Sequence, residues 1–248
     1  MKPKTPKEVE LMKISGEIAA KALKKVLENV RAGITALELD QIAQDQIEKE
    51  GAAPSFKTVE GYKWTTCITF NAQVVHGIPT QRKLKDGDII SIDTGALYKG
   101  YHSDMAITVP VGKISDSTNQ FLEVGKKALK EAINQAKEGN RIGDISQAQE
   151  DVIEGVGYSV VKSLTGHGIG KELHEEPMVP GFGKRGIGPK IKKNMTLAIE
   201  AIYAQKSGEV FQEADGWTIT TKDRSLSGLF EQTILVTNNG PIVLTPYL

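Results

Sequence analysis

Four acidic residues and one histidine of this 248-residue chain lie in or beside short apolar runs that have the length of β-strands. These residues are Asp93, Asp104, His167, Glu200 and Glu231. Carboxylates and imidazole are ligands that suit Co, Mn, Fe or Zn. Carboxylates can bridge two such ions, and an open position beside them can hold water. The residue types therefore predict a site for two divalent metal ions able to activate water.

Alternation along the predicted strands shows which way the acids point. Side chains two residues apart share a face of a strand. The run from Met105 to Val109 thus has three apolar side chains on one face, and Asp104 belongs to the other. The same alternation separates Ile92 from Asp93. We expect helices to cover the apolar face and the acids to line a cleft.

An internal repeat with a spacing of about one hundred residues runs through the chain. The matched positions are Gly33 with Gly139, Leu39 with Ile145, Ile47 with Ile153, Gly51 with Gly157, Asp93 with Glu200, and Asp104 with Glu231. Two halves that face each other would bring the four acids to one cleft. We therefore predict a single catalytic domain over residues 1–248, with halves of roughly 1–112 and 113–248.

An isolated acid at the end of a strand is usually a solvated edge residue or a turn cap. Four carboxylates on one sheet face are different, because they repel one another and are costly to remove from water. Bound cations would neutralise them. The repeated placement of the acids therefore favours the metal site over four unrelated surface residues.

In each half, two predicted helices precede the strands that carry the acids. Two capping boxes, Thr5 with Glu8 and Thr35 with Glu38, predict helices that end near Gly33 and at Gly51. A third helix is predicted from Ser117 to near Gly139, and a fourth, carrying Ile145, Ala148 and Ile153, ends around Gly155 and Gly157. Tyr98-Lys99-Gly100 is typical of a hairpin turn that would place Asp93 and Asp104 on adjacent strands. The pattern predicts an α+β fold that is mostly antiparallel.

Composition narrows the classes of partner. The formal net charge is zero and 39% of residues are hydrophobic, which does not indicate DNA or a membrane as a partner. The single cysteine, Cys67, excludes an intramolecular disulfide and fits the cytoplasm. Lysines from Lys2 to Lys7 and from Lys190 to Lys193 are interpreted as solvated faces, with transient ribosome contact as the alternative. We expect a monomer.

Four segments resemble the metal-site segments of type I methionine aminopeptidases: IDTGALYKGYHSD, TGHGIGKELHEEP, AIEAIY and GLFEQTILV. The resemblance extends over nearly the whole chain. It implies the pita-bread fold, in which pseudo-twofold halves form a mostly antiparallel curved sheet covered by helices. It also implies metal-dependent removal of the initiator methionine from the N-termini of nascent polypeptides that have a small second residue.

The resemblance also implies which of the two ions each ligand would bind. Asp93 would chelate one ion, His167 and Glu200 would mainly hold the other, and Asp104 and Glu231 would bridge both. A water held between the ions would attack the first peptide bond.

Three residues receive catalytic roles from the same resemblance. Glu200 would accept the proton of the attacking water. His174 would stabilise the oxyanion, and His76 would contact the scissile amide nitrogen and help to protonate the departing amine. His102, which precedes Asp104 by two residues, is interpreted either as a supporting residue or as one without a functional role.

Six positions match the family's methionine pocket: Phe56, Val59, Tyr62, Cys67, Leu173 and Trp217. An unbranched thioether packs well against aromatic rings and a thiol. Cys67 has an equally weighted alternative as a small buried hydrophobic residue. Some relatives carry other residues in place of Phe56 and Val59.

Other functions are weighed against this one. An X-Pro dipeptidase or aminopeptidase-P-like hydrolase would share the fold, but we expect such enzymes to carry an N-terminal domain that this length excludes. A catalytically inactive binding protein on the same fold typically loses metal ligands, whereas all five are present here. A metallophosphoesterase would use more histidine and asparagine ligands. The Gly-x-Gly run around His167 lacks the Lys-Ser/Thr of a phosphate-binding loop.

Overall fold

The computed structural model describes residues 3–247, which form four α-helices, one 3-10 helix at Phe56–Thr58 and fifteen β-strands. The α-helices are α1 (Pro6–Leu27), α2 (Ala36–Lys49), α3 (Asp116–Gln135) and α4 (Ile142–Glu154). The strands are β1 (Ala53–Pro54), β2 (Thr66–Phe70), β3 (Gln73–Val75), β4 (Ile89–Thr94), β5 (Ala96–Tyr98), β6 (Tyr101–His102), β7 (Met105–Pro110), β8 (Ser159–Val160), β9 (Thr165–Gly168), β10 (Glu175–Pro180), β11 (Thr196–Ala204), β12 (Val210–Gln212), β13 (Ile219–Thr221), β14 (Ser227–Thr237) and β15 (Gly240–Val243).

The main sheet contains nine of these strands. Its path runs β10-β9-β11-β14-β7-β4-β2, with β15 paired to β14 and β8 paired to β11. Each of these pairs is antiparallel. Two small sheets, β1-β5-β6 and β12-β13-β3, flank it and are antiparallel as well. The predicted α+β, mostly antiparallel architecture is confirmed.

The first two helices begin where their capping boxes predict. Thr5 accepts a hydrogen bond from the Glu8 backbone N–H, and the Glu8 carboxylate accepts the Thr5 N–H at 2.7 Å. Helix α1 nevertheless ends at Leu27, and the prediction that it reaches Gly33 is wrong. The reason is Asn29, whose side-chain amide donates to the Lys25 carbonyl at 2.9 Å and so replaces the next helical hydrogen bond.

Helix α3 also departs from the prediction at both ends. Its cap is Ser115, which accepts the Thr118 N–H at 3.1 Å, so the predicted start at Ser117 is two residues late. The helix ends at Gln135 and does not reach Gly139. The Asn140 side chain donates to the carbonyl of Gln135, the last residue of the helix, at 2.9 Å.

Equivalent loops in the two halves make equivalent contacts. The Gly33 N–H donates to the Leu84 carbonyl at 2.8 Å, and the Gly139 N–H donates to the Ile191 carbonyl at 3.1 Å. Both glycines have φ near +90°, a conformation that costs other residues energy. The repeat inferred from the sequence is therefore present in backbone hydrogen bonds, while the division at residues 112 and 113 stays a prediction.

The helices cover the apolar face of the sheet. Helices α1 and α2 pack in one cluster with Ile90, Ile92 and Met105, and helices α3 and α4 pack in another with Leu197 and Ile199. These side chains alternate with the acids along their strands, as predicted. The two cores therefore hold the sheet with its acid-bearing face turned away from the helices.

The N-terminal lysine cluster is not wholly solvated. Lys4 is buried, with 7% of its surface exposed, so its interpretation as part of a solvated face is wrong. Lys2 lies outside the described residues. In the second cluster, Lys190 and Lys192 are exposed as predicted. Within residues 3–247, no helix combines the length and the apolar character needed to cross a membrane.

Candidate metallopeptidase active site

Neighbouring strands of the main sheet bring the five predicted ligands together. Asp93 on β4 lies opposite Ala106 on β7, and Ala106 in turn lies opposite Glu231 on β14. Glu231 lies opposite Glu200 on β11, next to the strand β9 that carries His167. The ligands therefore lie along a row that runs across the sheet.

The predicted hairpin between the two aspartates is present. Strands β5 and β6 pair through Tyr98 and Tyr101, and the two residues between them, Lys99 and Gly100, have φ of 48° and 82°. Positive φ at both central positions is typical of a tight two-residue hairpin turn. The hairpin returns the chain so that Asp104 enters β7 beside β4.

Threonine hydroxyls join the two halves where the acids meet. Thr233 accepts the Asp104 N–H at 3.0 Å and donates to the Asp104 carbonyl at 2.8 Å. Between strands β7 and β14, the Thr108 hydroxyl accepts the Leu229 N–H at 2.8 Å and lies 2.9 Å from the Leu229 carbonyl oxygen. The Asp104 backbone is thus held by a residue of the other half of the molecule.

His167 is oriented as a ligand. Its Nδ1 lies 2.9 Å from the Gly168 carbonyl, so Nδ1 carries the proton and donates it there. Nε2 then presents its lone pair 3.8 Å from Asp104 Oδ2 and 3.7 Å from Glu200 Oε1. Two atoms that each lie about 2.1 Å from one cation can be up to about 4.2 Å apart. These distances therefore fit a shared ion.

The acids are enclosed and incompletely hydrogen-bonded. Asp104 and Glu231 are buried, and ligand atoms of Asp104, His167 and Glu231 lie within 4.8 Å of one another. Buried oxygens of Asp93, Asp104 and Glu231 find no hydrogen-bond partner among residues 3–247. Buried polar atoms are rarely left in this way. Carboxylate oxygens without hydrogen-bond partners, next to the unprotonated imidazole nitrogen of His167, form a set of donor atoms that fits divalent cations.

The electrostatics support this fit. Burial raises the pKa of Asp93 to about 7. Burial, together with the neighbouring carboxylates, raises the pKa of Asp104, Glu200 and Glu231 well above the usual range. Burial also lowers the pKa of His167 to about 4, which keeps its imidazole neutral. Protons or cations must therefore compensate the four acids.

Two further histidines flank the acids. The rings of His167 and His174 meet edge to face with centroids 4.5 Å apart. Burial lowers the pKa of both His76 and His174, so each is a neutral imidazole at neutral pH with one N–H to donate. Both line the cavity that contains the acids.

His76 is held in an unusual backbone conformation. Its φ is 58°, in the left-handed region that non-glycine residues seldom occupy. The next residue, Gly77, packs so closely on β2 that an added Cβ would overlap the Ile68 carbonyl oxygen. The Gly77 carbonyl accepts the Ile68 N–H at 2.9 Å. The tight contact of Gly77 with β2 maintains the strained residue before it.

The six predicted pocket residues share one apolar cluster. Phe56, Tyr62, Cys67 and Leu173 are buried in it, and Val59 and Trp217 pack against it. The rings of Tyr62 and Trp217 meet edge to face at 5.0 Å. Burial raises the pKa of Cys67 well above its usual value, so its side chain is a neutral thiol. Cys67 is thus both a buried apolar residue and part of the cavity wall.

A single cavity of about 160 Å³ is lined by the acids, the three histidines and the apolar residues. All thirteen residues singled out from the sequence are among its lining residues. Val75 also lines the cavity and was not predicted from the sequence, although its position directly before His76 was an available signal. His102 is not among the lining residues, and its Nδ1 lies 2.6 Å from the Ser55 hydroxyl.

Comparison with known proteins agrees with this geometry. Residues 10–238 match the description of metallopeptidase family M24. The chain belongs to metallopeptidase family M24. This M24 peptidase is 44% identical to methionine aminopeptidase 1 of Bacillus subtilis over 242 residues, which cover 98% of each chain. It is 43% identical to the methionine aminopeptidase of Clostridium perfringens, with 98% and 97% coverage.

Solved structures show the same fold. The methionine aminopeptidase of Thermotoga maritima superimposes on the M24 peptidase with a TM-score of 0.97 at 40% identity, covering 99% of both chains. A prolidase from Pyrococcus furiosus gives a TM-score of 0.81 at 26% identity, and the match covers 98% of this chain but only 65% of the prolidase. The predicted pita-bread fold is confirmed.

Proposed function

We propose that this M24 peptidase is a methionine aminopeptidase that removes the initiator methionine from nascent polypeptides with a small second residue. The observation that carries the proposal is the single cavity in which an apolar wall adjoins the buried acids. Tyr62, Trp217 and Cys67 offer the aromatic and thiol surfaces that suit a methionine thioether. Full-length relatives with this name support the same activity.

Five residues would hold the divalent cations that the family uses: Asp93, Asp104, His167, Glu200 and Glu231. We propose two ions, with Co, Mn, Fe and Zn compatible with the ligand set. The chemistry that such cations supply when bound is a lowered pKa of water and polarisation of a carbonyl.

The chain's own groups would move the protons. Glu200 is the nearest carboxylate to His167 Nε2 and would take a proton from the attacking water. His174 would donate its N–H to the carbonyl oxygen as negative charge develops there. His76 would contact the amide nitrogen and help to protonate the departing amine, while Glu200 would return the proton that it took from the water.

The substrates proposed are the N-termini of newly made polypeptides, and we propose that the enzyme acts in the cytoplasm as a monomer. Transient contact with the ribosome is proposed through Lys190, Lys192 and Lys193, which are all exposed.

Peptide cleavage tests the function directly. Protein freed of metal and then supplied with Mn²⁺ or Co²⁺ should release methionine from Met-Ala-Ser and leave Met-Leu-Ser and Ala-Pro largely intact. Cleavage of Ala-Pro without cleavage of Met-Ala-Ser would favour an X-Pro dipeptidase. Cleavage of neither peptide under any metal would favour a binding protein on the same fold.

A further inference from the structure

The loop between β9 and β10 carries two proposed site residues, Leu173 and His174, without any helix or strand to hold them. It leaves the strand of His167 at Gly168 and re-enters the sheet at Glu175. A donor to the substrate carbonyl must be placed accurately, because misplacement by about 1 Å can cost on the order of 100-fold in rate. Contacts outside regular secondary structure must therefore fix the loop.

The Glu175 carboxylate organises this loop from within. Its Oε1 accepts the backbone N–H of Lys171 at 2.8 Å and that of Glu172 at 3.4 Å. Its other oxygen, Oε2, accepts a hydrogen bond from the Lys4 ammonium at 2.7 Å. One oxygen of the carboxylate thus binds backbone N–H groups within the loop, and the other binds the N-terminal segment.

Lys4 is an unusual partner for this carboxylate. Among residues 3–247 it is the one lysine or arginine whose surface is buried. Its backbone N–H donates to the Asn194 carbonyl at 2.8 Å, which fixes the segment before α1. Its ammonium packs so closely on Gly170 that an added Cβ there would overlap Lys4 Nζ. A lysine is rarely buried unless it is paired, and Glu175 is the pair.

We propose that Lys4 and Glu175 are positioning residues for the reaction, and that their buried ion pair holds His174 where it can donate to the substrate carbonyl. The proposal rests on the proposed function for the role of His174, but the contact itself does not depend on that function. The N-terminal segment thereby helps to position the active site, although Lys4 lies 171 positions before Glu175 in the sequence.

Steady-state kinetics with Met-Ala-Ser test the proposal. Lys4→Met and Glu175→Gln should each lower kcat by about 10- to 100-fold, with bound metal unchanged because neither residue is a ligand. The matched control is Lys126→Met, which removes an exposed ion pair with Glu123 of the same 2.7 Å length and should leave kcat as in wild type. Unchanged kcat in Lys4→Met and Glu175→Gln would overturn the proposal.

A double-mutant comparison separates positioning from a general loss of structure. If Lys4 acts through His174, adding Lys4→Met to His174→Ala should change kcat by less than about twofold, because coupled residues are not additive. An equal fall in kcat in both backgrounds would show that Lys4 acts elsewhere, and the proposal would fail. Glu175→Gln keeps the shape of the side chain and serves if Lys4→Met does not fold.

Amide hydrogen exchange gives a readout independent of activity. In Lys4→Met the N–H groups of Lys171 and Glu172 should exchange at least about tenfold faster, while helix α4 exchanges as in wild type. If the wild-type protein fails to cleave Met-Ala-Ser, the proposed function is refuted, but the exchange experiment still tests whether the ion pair holds the loop. Unchanged exchange at both amides would refute the loop-holding role of the ion pair.

Discussion

Glu200 and Glu231 lie directly opposite each other on the antiparallel strands β11 and β14. Like charges at opposed positions of a strand pair destabilise a sheet, and burial makes the repulsion stronger. Asp104 lies close to both, within reach of the His167 nitrogen. Either bound protons or bound cations must neutralise these carboxylates, and the pH determines which of the two does so.

The pH dependence of thermal stability should therefore differ between metal-free and metal-bound protein. A carboxyl whose folded pKa is raised binds more protons when folded, so stability falls as pH rises from its ordinary pKa through the folded value. For Asp93 this window runs from 3.8 to about 7. With chelator, the melting temperature should fall between pH 5 and pH 8; added Mn²⁺ should raise it most at pH 8.

The control for this experiment is Asp93→Asn, which removes one charge with little change in shape. It should raise the melting temperature of metal-free protein at pH 8 and reduce the gain from Mn²⁺. A gain from Mn²⁺ that is equal at pH 5 and pH 8 would contradict the electrostatic account.

His174→Ala and Glu231→Ala should separate catalysis from metal binding. Loss of the His174 N–H should lower kcat by about 100- to 1,000-fold, the usual effect of removing an oxyanion donor, with metal content preserved. Glu231→Ala should lower both activity and metal content. Elemental analysis of the purified variants alongside kinetics measures the difference. Wild-type activity in His174→Ala would remove its proposed role.

Gly77→Ala should be far more damaging than another glycine substitution. The new Cβ would overlap the Ile68 carbonyl oxygen, so β2 or His76 must move. We expect a loss of about 1–3 kcal/mol in stability and at least about 100-fold in kcat. The comparison variant is Gly139→Ala, whose Cβ meets nothing within 4 Å and whose cost is confined to its left-handed backbone. Chemical denaturation and kinetics should rank the two; equal activity in both would contradict the account.

Trp217→Ala should weaken selectivity for methionine. Trp217 lines the cavity and packs edge to face on Tyr62, whereas Trp64 also packs edge to face on Tyr62 but is not among the lining residues. The ratio of kcat/KM for methionine over leucine at the first position should fall by about 10-fold in Trp217→Ala, as expected for about 1.4 kcal/mol of lost contact. Trp64→Ala should keep the wild-type ratio. An unchanged ratio in Trp217→Ala would exclude it from the methionine pocket.

Local sequence patterns predict much of the fold. Two capping boxes located the starts of α1 and α2, and alternation identified the acid-bearing face of each central strand. Helix ends were less predictable. Glycine was taken as the stop signal, but α1 and α3 end several residues before Gly33 and Gly139, and the side chains of Asn29 and Asn140 donate to carbonyls in the last turns of these helices. Asparagine can bond to backbone or solvent, so its choice depends on its surroundings.

The identity and order of the chemical groups were determined by the sequence alone, since carboxylates, imidazoles and apolar side chains keep their preferences wherever they lie. Only the tertiary structure decided which of them meet. The register across β11, β14, β7 and β4 brings the acids into one row. The contact of Gly77 with β2 holds His76 in a left-handed conformation. Lys4 is buried and forms an ion pair with Glu175, although its sequence context is that of a surface lysine. Those outcomes depend on long-range packing and on exclusion of water, which no local pattern of residues encodes.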